Sequence, residues 1–266
     1  MAPKFVENAQ VVSNEQLASN IWKVVLSCNQ TPDAILPGQF VHLQVDGGCK
    51  AMLRRPFSIM NADAENKTID IVYEVKGAGT TMMTKWQKGY TTSIIAPLGN
   101  SWLATLPEGE DSKISRALIV GGGVGAAPLF MLARNFVKKG ISVDVVLGAR
   151  TKEVHVMEAP YRTLDLNTLV CVTDDGSYGE AGFCTIPAVR LINENSYDYV
   201  GTCGPAPVMK AVADAAKEKA KFVEVSTEER MACGVGACKT CVVDTVNGKV
   251  KSCDCGPVFP AEVISW

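Results

Sequence analysis

Short apolar runs separated by turn signals dominate the N-terminal part of the chain. The runs occupy residues 22–26, 40–45, 69–75 and 92–95. Each has the length and apolar character of a strand, and turn signals such as Pro37-Gly38 lie between them. Many short strands at near-regular spacing favour an antiparallel β-barrel. One helical stretch is predicted in this part, at 80–88, with Thr80 as its N-cap and Gly89 as its stop.

A polar, turn-rich linker at 101–115 separates this part from a different pattern. Beyond the linker, apolar runs of strand length alternate with helical stretches. The runs occupy residues 117–120, 143–147, 169–172, 199–202 and 222–225. The clearest helices are expected at 130–139 and 205–219. Because strands and helices alternate, the pattern predicts an α/β unit with a doubly wound parallel sheet.

Three units account for the 266 residues. We predict a multidomain chain with an antiparallel β-barrel domain at 1–105, an α/β domain at 113–222 and a small cysteine-rich module at 223–266. A chain of this length is sufficient for two domains of ordinary size and a small module.

Charge and composition exclude several functional classes. The formal net charge of −2 provides no basic surface for nucleic acid or for an anionic membrane. The uncharged stretch at 117–133 contains a glycine cluster and is shorter than the roughly 20 residues of a membrane-spanning helix. The N-terminal residues lack the apolar region of a secretory signal, so we expect a cytoplasmic protein.

Cysteine spacing gives the strongest indication of chemistry. Cys233, Cys238 and Cys241 have C-x4-C-x2-C spacing and Cys253 follows, which is the plant-type pattern of a 2Fe–2S cluster. Glycines in the x4 loop let the backbone pass close to such a cluster. Four thiolates could also hold a structural zinc ion, although zinc modules usually use two short cysteine pairs. The fourth ligand stays open, because Cys255 is a second candidate.

The other thiols and the histidines are expected to be structural. The scattered thiols are Cys28, Cys49, Cys171 and Cys184. We expect these thiols to pack as small hydrophobic side chains. We also expect His42 and His155 to be structural or surface residues. The sequence contains nothing that resembles a Ser–His–Asp or Cys–His nucleophile set.

Three further motifs indicate phosphate or dinucleotide binding. The arginine–serine motif at 54–58 and the glycine turn at 77–81 could together hold a pyrophosphate. The glycine run at 121–126 follows a strand and opens a helix, as a dinucleotide fingerprint does, but no acidic residue for a ribose follows the second strand. Residues 203–205 end a later strand. Each motif has a structural alternative: a capped helix at 77–81, a tight turn at 121–126 and a buried thiol at 203–205.

Taken in order, these motifs resemble the ferredoxin reductase superfamily. They are Pro37-Gly38-Gln39-Phe40-Val41, Arg55-Pro56-Phe57-Ser58, Gly77-x-Gly79-Thr80, Pro97-Leu98-Gly99, Gly121-Gly122-Gly123-x-Gly125-x-Ala127-Pro128 and Cys203-Gly204-Pro205. The tail from Glu229 to Phe259 resembles one branch, the electron-transfer subunits of class B dihydroorotate dehydrogenase. The resemblance covers nearly the whole chain, and its tail is the most specific part.

The resemblance implies three cofactors and the residues that hold them. It implies FAD in the barrel domain, held by Arg55, Pro56, Phe57, Ser58, Val72, Tyr73, Glu74, Gly79 and Thr80. It implies NAD on Gly122, Gly123 and Gly125, with Cys203, Gly204 and Pro205 near the nicotinamide. It implies a 2Fe–2S cluster on Cys233, Cys238, Cys241 and Cys253. Cys253 is preferred over Cys255 because Cys-x-x-Gly-Pro-Val-Phe is the pattern of the family.

The resemblance also implies a function. Electrons from the FMN of a dihydroorotate dehydrogenase catalytic subunit would pass through the cluster and FAD to NAD+, in pyrimidine biosynthesis. The implied assembly is a heterotetramer with two copies of each chain, and no catalytic side chain is expected here because the pyrimidine site lies on the partner. One alternative is a subunit of an NADH-dependent ferredoxin:NADP+ oxidoreductase. Another is a non-enzymatic, zinc-stabilised binding module. Arg150 could favour the 2′-phosphate of NADP.

Overall fold

A seven-stranded antiparallel sheet forms the N-terminal part of the computed structural model, which describes residues 3–46 and 52–266. Its strands are β1 (Phe5–Ala18), β2 (Ile21–Ser27), β3 (Phe40–Leu43), β4 (Arg55–Ser58), β5 (Asn61–Asp63), β6 (Thr68–Glu74) and β7 (Thr91–Leu98). Two short helices, α1 (Thr31–Ala34) and α2 (Ala78–Met83), connect them. The strand order is β4-β3-β7-β1-β2-β6-β5.

This sheet is curled around an apolar core. Strand β4 contacts β6, although β4 is the first strand and β6 the sixth of seven in the hydrogen-bonded order. Within the described residues no ladder joins β4 to β5, so the prediction of a barrel is corrected to a curled, open sheet. Register explains the core: Val24 lies opposite Ile71 and Leu26 opposite Ile69, and all four side chains are fully buried. Such cross-strand apolar pairs stabilise one face of the sheet.

Besides α1, β4 and β5, which the sequence did not predict, two elements of this part differ from the sequence prediction. Strand β1 is 14 residues long and was not predicted, because its apolar residues are too sparse to stand out from its polar ones. Helix α2 begins after Gly77 and ends at Met83 rather than covering 80–88. Thr80 is therefore not the N-cap. Its hydroxyl accepts hydrogen bonds from the backbone N–H groups of Lys76 (3.0 Å) and Gly77 (3.2 Å), which caps the helix from within its first turn.

A parallel sheet forms the second part of the chain. Its strands are β8 (Arg116–Gly122), β9 (Ser142–Ala149), β10 (Thr168–Thr173), β11 (Glu180–Ala181), β12 (Tyr197–Cys203) and β13 (Ala220–Ser226). Its helices are α3 (Ala127–Lys138), α4 (Glu158–Tyr161), α5 (Thr185–Glu194) and α6 (Ala206–Ala216). The order β11-β10-β9-β8-β12-β13 reverses between β8 and β12, which is the position where doubly wound sheets bind ligands.

Helices cover both faces of this sheet. One apolar core contains Ile119 and Val145 of the sheet together with Phe136 of α3. A separate core on the other face contains Val120 of β8 with Ile192 of α5 and Val212 of α6. Successive residues of β8 therefore point into different cores, which explains why the strand is apolar at nearly every position.

The C-terminal module packs against both sheets. It contains β14 (Val242–Thr245), β15 (Gly248–Lys251), α7 (Ser252–Cys255) and β16 (Val258–Pro260). Strand β16 pairs with β13 and so extends the parallel sheet with one antiparallel strand. On the other side, the side chain of Asn100 hydrogen-bonds both the N–H (3.0 Å) and the C=O (2.7 Å) of Val258. The predicted boundary between 222 and 223 falls inside β13, and the three-domain division stays a prediction.

Glu224 links the linker to the parallel sheet. Its buried carboxylate accepts hydrogen bonds from the N–H of Leu103 (2.9 Å), the hydroxyl of Thr105 and the hydroxyl of Tyr199 (2.7 Å). Burial raises the pKa of Glu224, and these hydrogen bonds oppose that effect. Among the described residues, no helix is long and apolar enough to cross a membrane.

Candidate cofactor-binding site

A cleft of about 720 Å³ lies where the curled sheet, the switch point of the parallel sheet and the cysteine module meet. This volume is in the range of cofactor and ligand pockets. The predicted residues that line it are Arg55, Pro56, Phe57, Ser58, Val72, Tyr73, Glu74, Thr80, Gly125 and Cys203. Residues from both predicted cofactor sites therefore face one continuous space.

The side of the cleft that is predicted to hold the flavin is formed by β4, β6 and α2. The rings of Phe57 and Tyr73 meet edge to face, with centroids 6.0 Å apart. Gly79 lies against Arg55, since a Cβ built on Gly79 would be 3.1 Å from Arg55 Nε. The neighbouring Arg54 is held elsewhere by hydrogen bonds to the C=O (2.7 Å) and the hydroxyl (2.8 Å) of Ser93. Arg55, and not Arg54, is thus the guanidinium that lines the cleft.

The two turns at the switch point pack directly on one another. A Cβ on Gly125 would lie 2.7 Å from the carbonyl oxygen of Cys203, so only glycine permits this approach. A Cβ on Gly122 would lie 3.0 Å from Pro205 Cδ. Gly122, Gly204 and Pro205 are therefore close to the cleft without lining it, while Gly123 faces a small recess beside Leu147 and His155.

The side of the cleft that is predicted to hold NAD has both neutral and charged side chains near it. Burial raises the pKa of Cys203 to about 12, with a smaller effect from Glu228, so this thiol is neutral at neutral pH. Arg150 Nη2 lies 3.8 Å from Glu74 Oε1, and its side chain is 74% exposed. Arg150 thus faces a carboxylate of the curled sheet, which competes with any phosphate for the guanidinium.

The candidate ligand thiols of the cysteine module form two pairs. Backbone N–H groups mark the pairs: Cys238 N lies 3.4 Å from Cys233 Sγ, and Cys253 N lies 3.4 Å from Cys241 Sγ. Gly236 N donates to Cys253 Sγ at 3.1 Å and so connects the x4 loop to the second pair. Cys241 and Cys253 are buried, whereas Cys238 is exposed.

This arrangement fits a two-iron cluster better than zinc. In a tetrahedral zinc site all sulfurs lie about 3.8 Å apart, given Zn–S distances of about 2.3 Å. In the part of the chain that the structure describes, no three of these thiols come within 4.8 Å of one another. Two pairs supply two ligands to each iron of a 2Fe–2S cluster. Cys253 belongs to a pair, while Cys255 is exposed on α7, which favours Cys253 as the fourth ligand.

Comparison with known proteins identifies the family. The model for the iron-sulfur cluster binding domain of dihydroorotate dehydrogenase B matches residues 228–265. An electron transfer subunit of dihydroorotate dehydrogenase B (NAD(+)) from Geobacillus sp. (strain WCH70) is 38% identical over 260 residues, which cover 96% of both chains. The corresponding Bacillus pumilus protein is 37% identical with the same coverage. This chain belongs to that family of electron transfer subunits.

Solved structures support the fold of a dihydroorotate dehydrogenase B electron transfer subunit. A structure of an NADH-dependent reduced ferredoxin-NADP oxidoreductase is 27% identical, with a TM-score of 0.85 over 97% of this chain and 90% of that chain. An Amycolatopsis cytochrome P450 reductase, 22% identical with a TM-score of 0.67 over 82% of this chain, shares the fold. The predicted ferredoxin-reductase-like fold is confirmed at this level, with its curled sheet, parallel-sheet part and C-terminal iron–sulfur domain.

Family membership confirms the predicted oxidoreductase role and the predicted cofactors FAD, 2Fe–2S and NAD. It also displaces both alternatives. The non-enzymatic zinc module does not account for the flavin-reductase fold. The ferredoxin:NADP+ alternative shares that fold, but the curated relatives are 36–38% identical to this chain, against 27% for the oxidoreductase structure. The assignment of individual site residues stays a prediction.

His42 is the residue at this site whose position the sequence did not reveal. It lies on β3 with 1% of its surface exposed, and neither ring nitrogen has a hydrogen-bond partner among the described residues. Burial lowers the pKa of His42, so its ring is neutral. A Cβ on Gly234 would lie 2.7 Å from His42 Nδ1. The imidazole on β3 of the curled sheet therefore supports the loop between Cys233 and Cys238. A histidine on a strand far from the cysteines gives no signal of this in sequence.

Gly234→Ala is expected to prevent stable cluster assembly. Gly234 has φ +69°, and the added methyl group would overlap the His42 ring. Gly248→Ala is the matched control, because Gly248 has φ +104° in the same module but open space around it. Both variants carry a left-handed backbone cost of about 1–2 kcal/mol. Only Gly234→Ala adds overpacking of about 1–3 kcal/mol. Iron content per chain and the unfolding temperature measure the difference, and equal values for the two variants would contradict the proposed contact.

Proposed function

We propose that this chain connects a dihydroorotate-oxidising partner subunit with NAD+. The observation that carries the proposal is the position of Phe40. Its side chain lines the cleft and also packs in one apolar cluster with Cys241 and Cys253. Residues 230–232, which immediately precede Cys233, line the cleft as well. The cleft and the thiol pairs are therefore separated by little more than one layer of side chains, as electron exchange between two cofactors requires.

The cleft residues divide into three roles in this proposal. Arg55 neutralises the pyrophosphate of FAD, and Phe57 with Tyr73 provides the apolar surface for the flavin ring. The turns at Gly122–Gly125 and Cys203–Pro205 receive NAD, because they pack directly on one another and present Gly125 and Cys203 to the cleft. The buried apolar side chains that pack with Phe40 exclude water from the space between the cleft and the iron–sulfur cluster.

The chemistry belongs to the bound groups: FAD exchanges a hydride with NAD+, and the 2Fe–2S cluster carries single electrons. The side chains of this chain bind, orient and shield these groups. Cys203 fits that role, since its buried thiol is neutral and so cannot act as a nucleophile. The pyrimidine would be oxidised on the FMN of the partner chain. A heterotetramer with two copies of each chain and a cytoplasmic location stay predictions.

The exposed side of the cysteine module is the proposed contact for the partner. Cys238 is exposed, whereas Cys241 and Cys253 face the interior. Val235 in the same loop is 40% exposed. Cys238 therefore lies toward solvent while Cys241 and Cys253 pack with Phe40 of the cleft, so that electrons can enter at one end and leave at the other.

Reconstitution with a dihydroorotate-oxidising FMN subunit tests the proposal. We expect the full chain with FAD and cluster to reduce its flavin with NADH when alone. We expect dihydroorotate-dependent NAD+ reduction only when both chains are present. Purification from the native cell provides an independent test. Recovery of the chain with a glutamate-synthase-like flavoprotein, and without a dihydroorotate-oxidising subunit, would overturn the proposal in favour of ferredoxin:NADP+ chemistry.

A further inference from the structure

Three potential metal ligands converge in the parallel-sheet part of the chain, away from the cysteine module. The ligand atoms of His155, Glu158 and Cys171 all lie within 4.8 Å of one another. His155 follows the 3₁₀ turn after β9, Glu158 is the first residue of α4, and Cys171 lies on β10. No sequence motif connects them, because the thiol is 13 residues beyond Glu158 and in a different element.

The histidine is oriented as a ligand, with one ring nitrogen held and the other without a hydrogen-bond partner among the described residues. His155 Nε2 lies 3.1 Å from the carbonyl oxygen of Leu147, so Nε2 carries the proton and Nδ1 presents its lone pair. The side chain is 3% exposed, and Nδ1 has no hydrogen-bond partner among the described residues. Nδ1 lies 3.9 Å from Glu158 Oε2. A backbone carbonyl that holds the second ring nitrogen is the usual outer partner of a metal-binding histidine.

The carboxylate has one committed and one free oxygen. Glu158 Oε1 accepts hydrogen bonds from Arg162 Nε (2.6 Å) and from the hydroxyl of Tyr178 (2.8 Å). Burial acts to raise the pKa of Glu158, but these two hydrogen bonds hold it below the usual value, so the group is ionised. The oxygen Oε2 is the one that faces His155. The carboxylate is therefore fixed in orientation with a lone pair directed at the same point as Nδ1.

The thiol completes the set from the neighbouring strand. Cys171 is opposite Leu147 in the β9–β10 ladder, and Leu147 is the residue that holds His155. Burial, followed by the charge of Glu158, raises the pKa of Cys171 to about 12. Three potential ligand atoms from three different elements therefore converge on one point.

We propose that His155 Nδ1, Glu158 Oε2 and Cys171 Sγ bind one zinc ion. Zinc is the metal that accepts imidazole, carboxylate and thiolate together in tetrahedral geometry, with water as a fourth ligand. On binding, the Zn–S bond forms and the thiol proton leaves to solvent. The charges of Zn²⁺, one carboxylate and one thiolate then sum to zero, and Arg162 stays hydrogen-bonded to the other oxygen of Glu158. Tetrahedral ligands lie about 3.3–3.8 Å apart, so the site closes by about 1 Å through side-chain rotation.

Zinc at this position would tie β10 to α4 and to the turn after β9. His155 also lines the recess beside Gly123, so the zinc ion would lie next to the glycine turn that is predicted to bind the dinucleotide. The site is separate from the cysteine module in sequence and in ligand type. Its role is to hold the nucleotide end of the sheet, and it does not depend on the electron route of the chain.

Element-specific X-ray absorption on the full chain, purified with its flavin and cluster, tests the proposal. The protein is equilibrated with zinc chloride in a chelator-buffered solution. We expect about one zinc per chain in addition to the iron, and a zinc edge with one sulfur at about 2.3 Å and nitrogen or oxygen ligands at about 2.0–2.2 Å. Absence of bound zinc would overturn the proposal. A shell of four sulfurs would also overturn it, because zinc would then occupy the cysteine module.

Variants of single residues distinguish zinc binding at this site from zinc binding by other thiols. Cys171→Ser and His155→Ala are each expected to weaken zinc binding by at least about 100-fold, beyond the 10–100-fold typical of outer partners. Cys184→Ser is the matched control, since Cys184 is another buried thiol of the parallel-sheet part and does not belong to the cluster of three ligands. Unchanged zinc binding in Cys171→Ser would contradict the proposal. If that variant does not fold, the absorption spectrum of the unmodified chain decides alone.

Discussion

Cys253→Ser is expected to abolish the 2Fe–2S cluster while NADH still reduces the flavin. Cys253 is 1% exposed, accepts a hydrogen bond from Gly236 and is paired with Cys241, so a hydroxyl in its place removes one of two ligands from one iron. The flavin and NAD residues lie on other elements of the cleft and are not changed. Iron content is expected to fall from about two atoms per chain to near zero. Stopped-flow reduction of FAD by NADH is expected to keep its rate.

Cys255→Ser is the matched control for the fourth ligand. Cys255 is two residues away, exposed, and belongs to neither thiol pair. We expect this variant to keep its iron, its visible spectrum and its electron transfer to the partner. Cys238→Ser is expected to behave like Cys253→Ser. A cluster that survives in Cys253→Ser but not in Cys255→Ser would reverse the ligand assignment. Loss of flavin reduction together with the cluster would show that the two sites do not function separately.

Arg55→Ala is expected to weaken FAD binding by about 10–150-fold, because each hydrogen bond to a charged group contributes about 1.5–3 kcal/mol. Arg55 is the guanidinium of this motif that lines the cleft, and no carboxylate pairs with it among the described residues. Among the described residues, the guanidinium of Arg55 donates hydrogen bonds only to the carbonyl oxygens of Leu53 and Arg54. Equilibrium titration of flavin-free chain with FAD measures the change. Arg55→Lys is expected to recover part of the affinity, because it restores the charge without the two-pronged geometry.

Arg54→Ala is the control at the adjacent position. Its guanidinium is used within the sheet, on Ser93, so we expect a lower unfolding temperature with little change in FAD affinity. The two arginines thus separate stability from cofactor binding. Equal losses of FAD affinity in Arg54→Ala and Arg55→Ala would argue that the motif acts only by stabilising the sheet.

Local pattern was sufficient for most elements and for the chemistry of the cofactors. The five predicted strands of the parallel sheet lie within β8, β9, β10, β12 and β13. They are apolar at most positions because both faces of the sheet are covered. The spacing of Cys233, Cys238 and Cys241 indicated a 2Fe–2S cluster because the ligands come from one short loop, whose geometry depends on neighbours in sequence. Strand β1 was missed, and α2 was misplaced, where hydrogen bonds and not apolar residues define the element.

Only the tertiary structure decided which distant residues meet. Sequence could not show that Gly125 lies against Cys203, that Gly234 lies on His42, or that Phe40 separates the cleft from Cys241 and Cys253. The curled, open form of the first sheet likewise depends on which strands pair at long range. The residue type at each position indicates whether that position is buried, lies in a turn or can bind a ligand. Contacts between elements depend on how the sheets pack together, and the apolar period of an element shows that it packs but not which element it packs against.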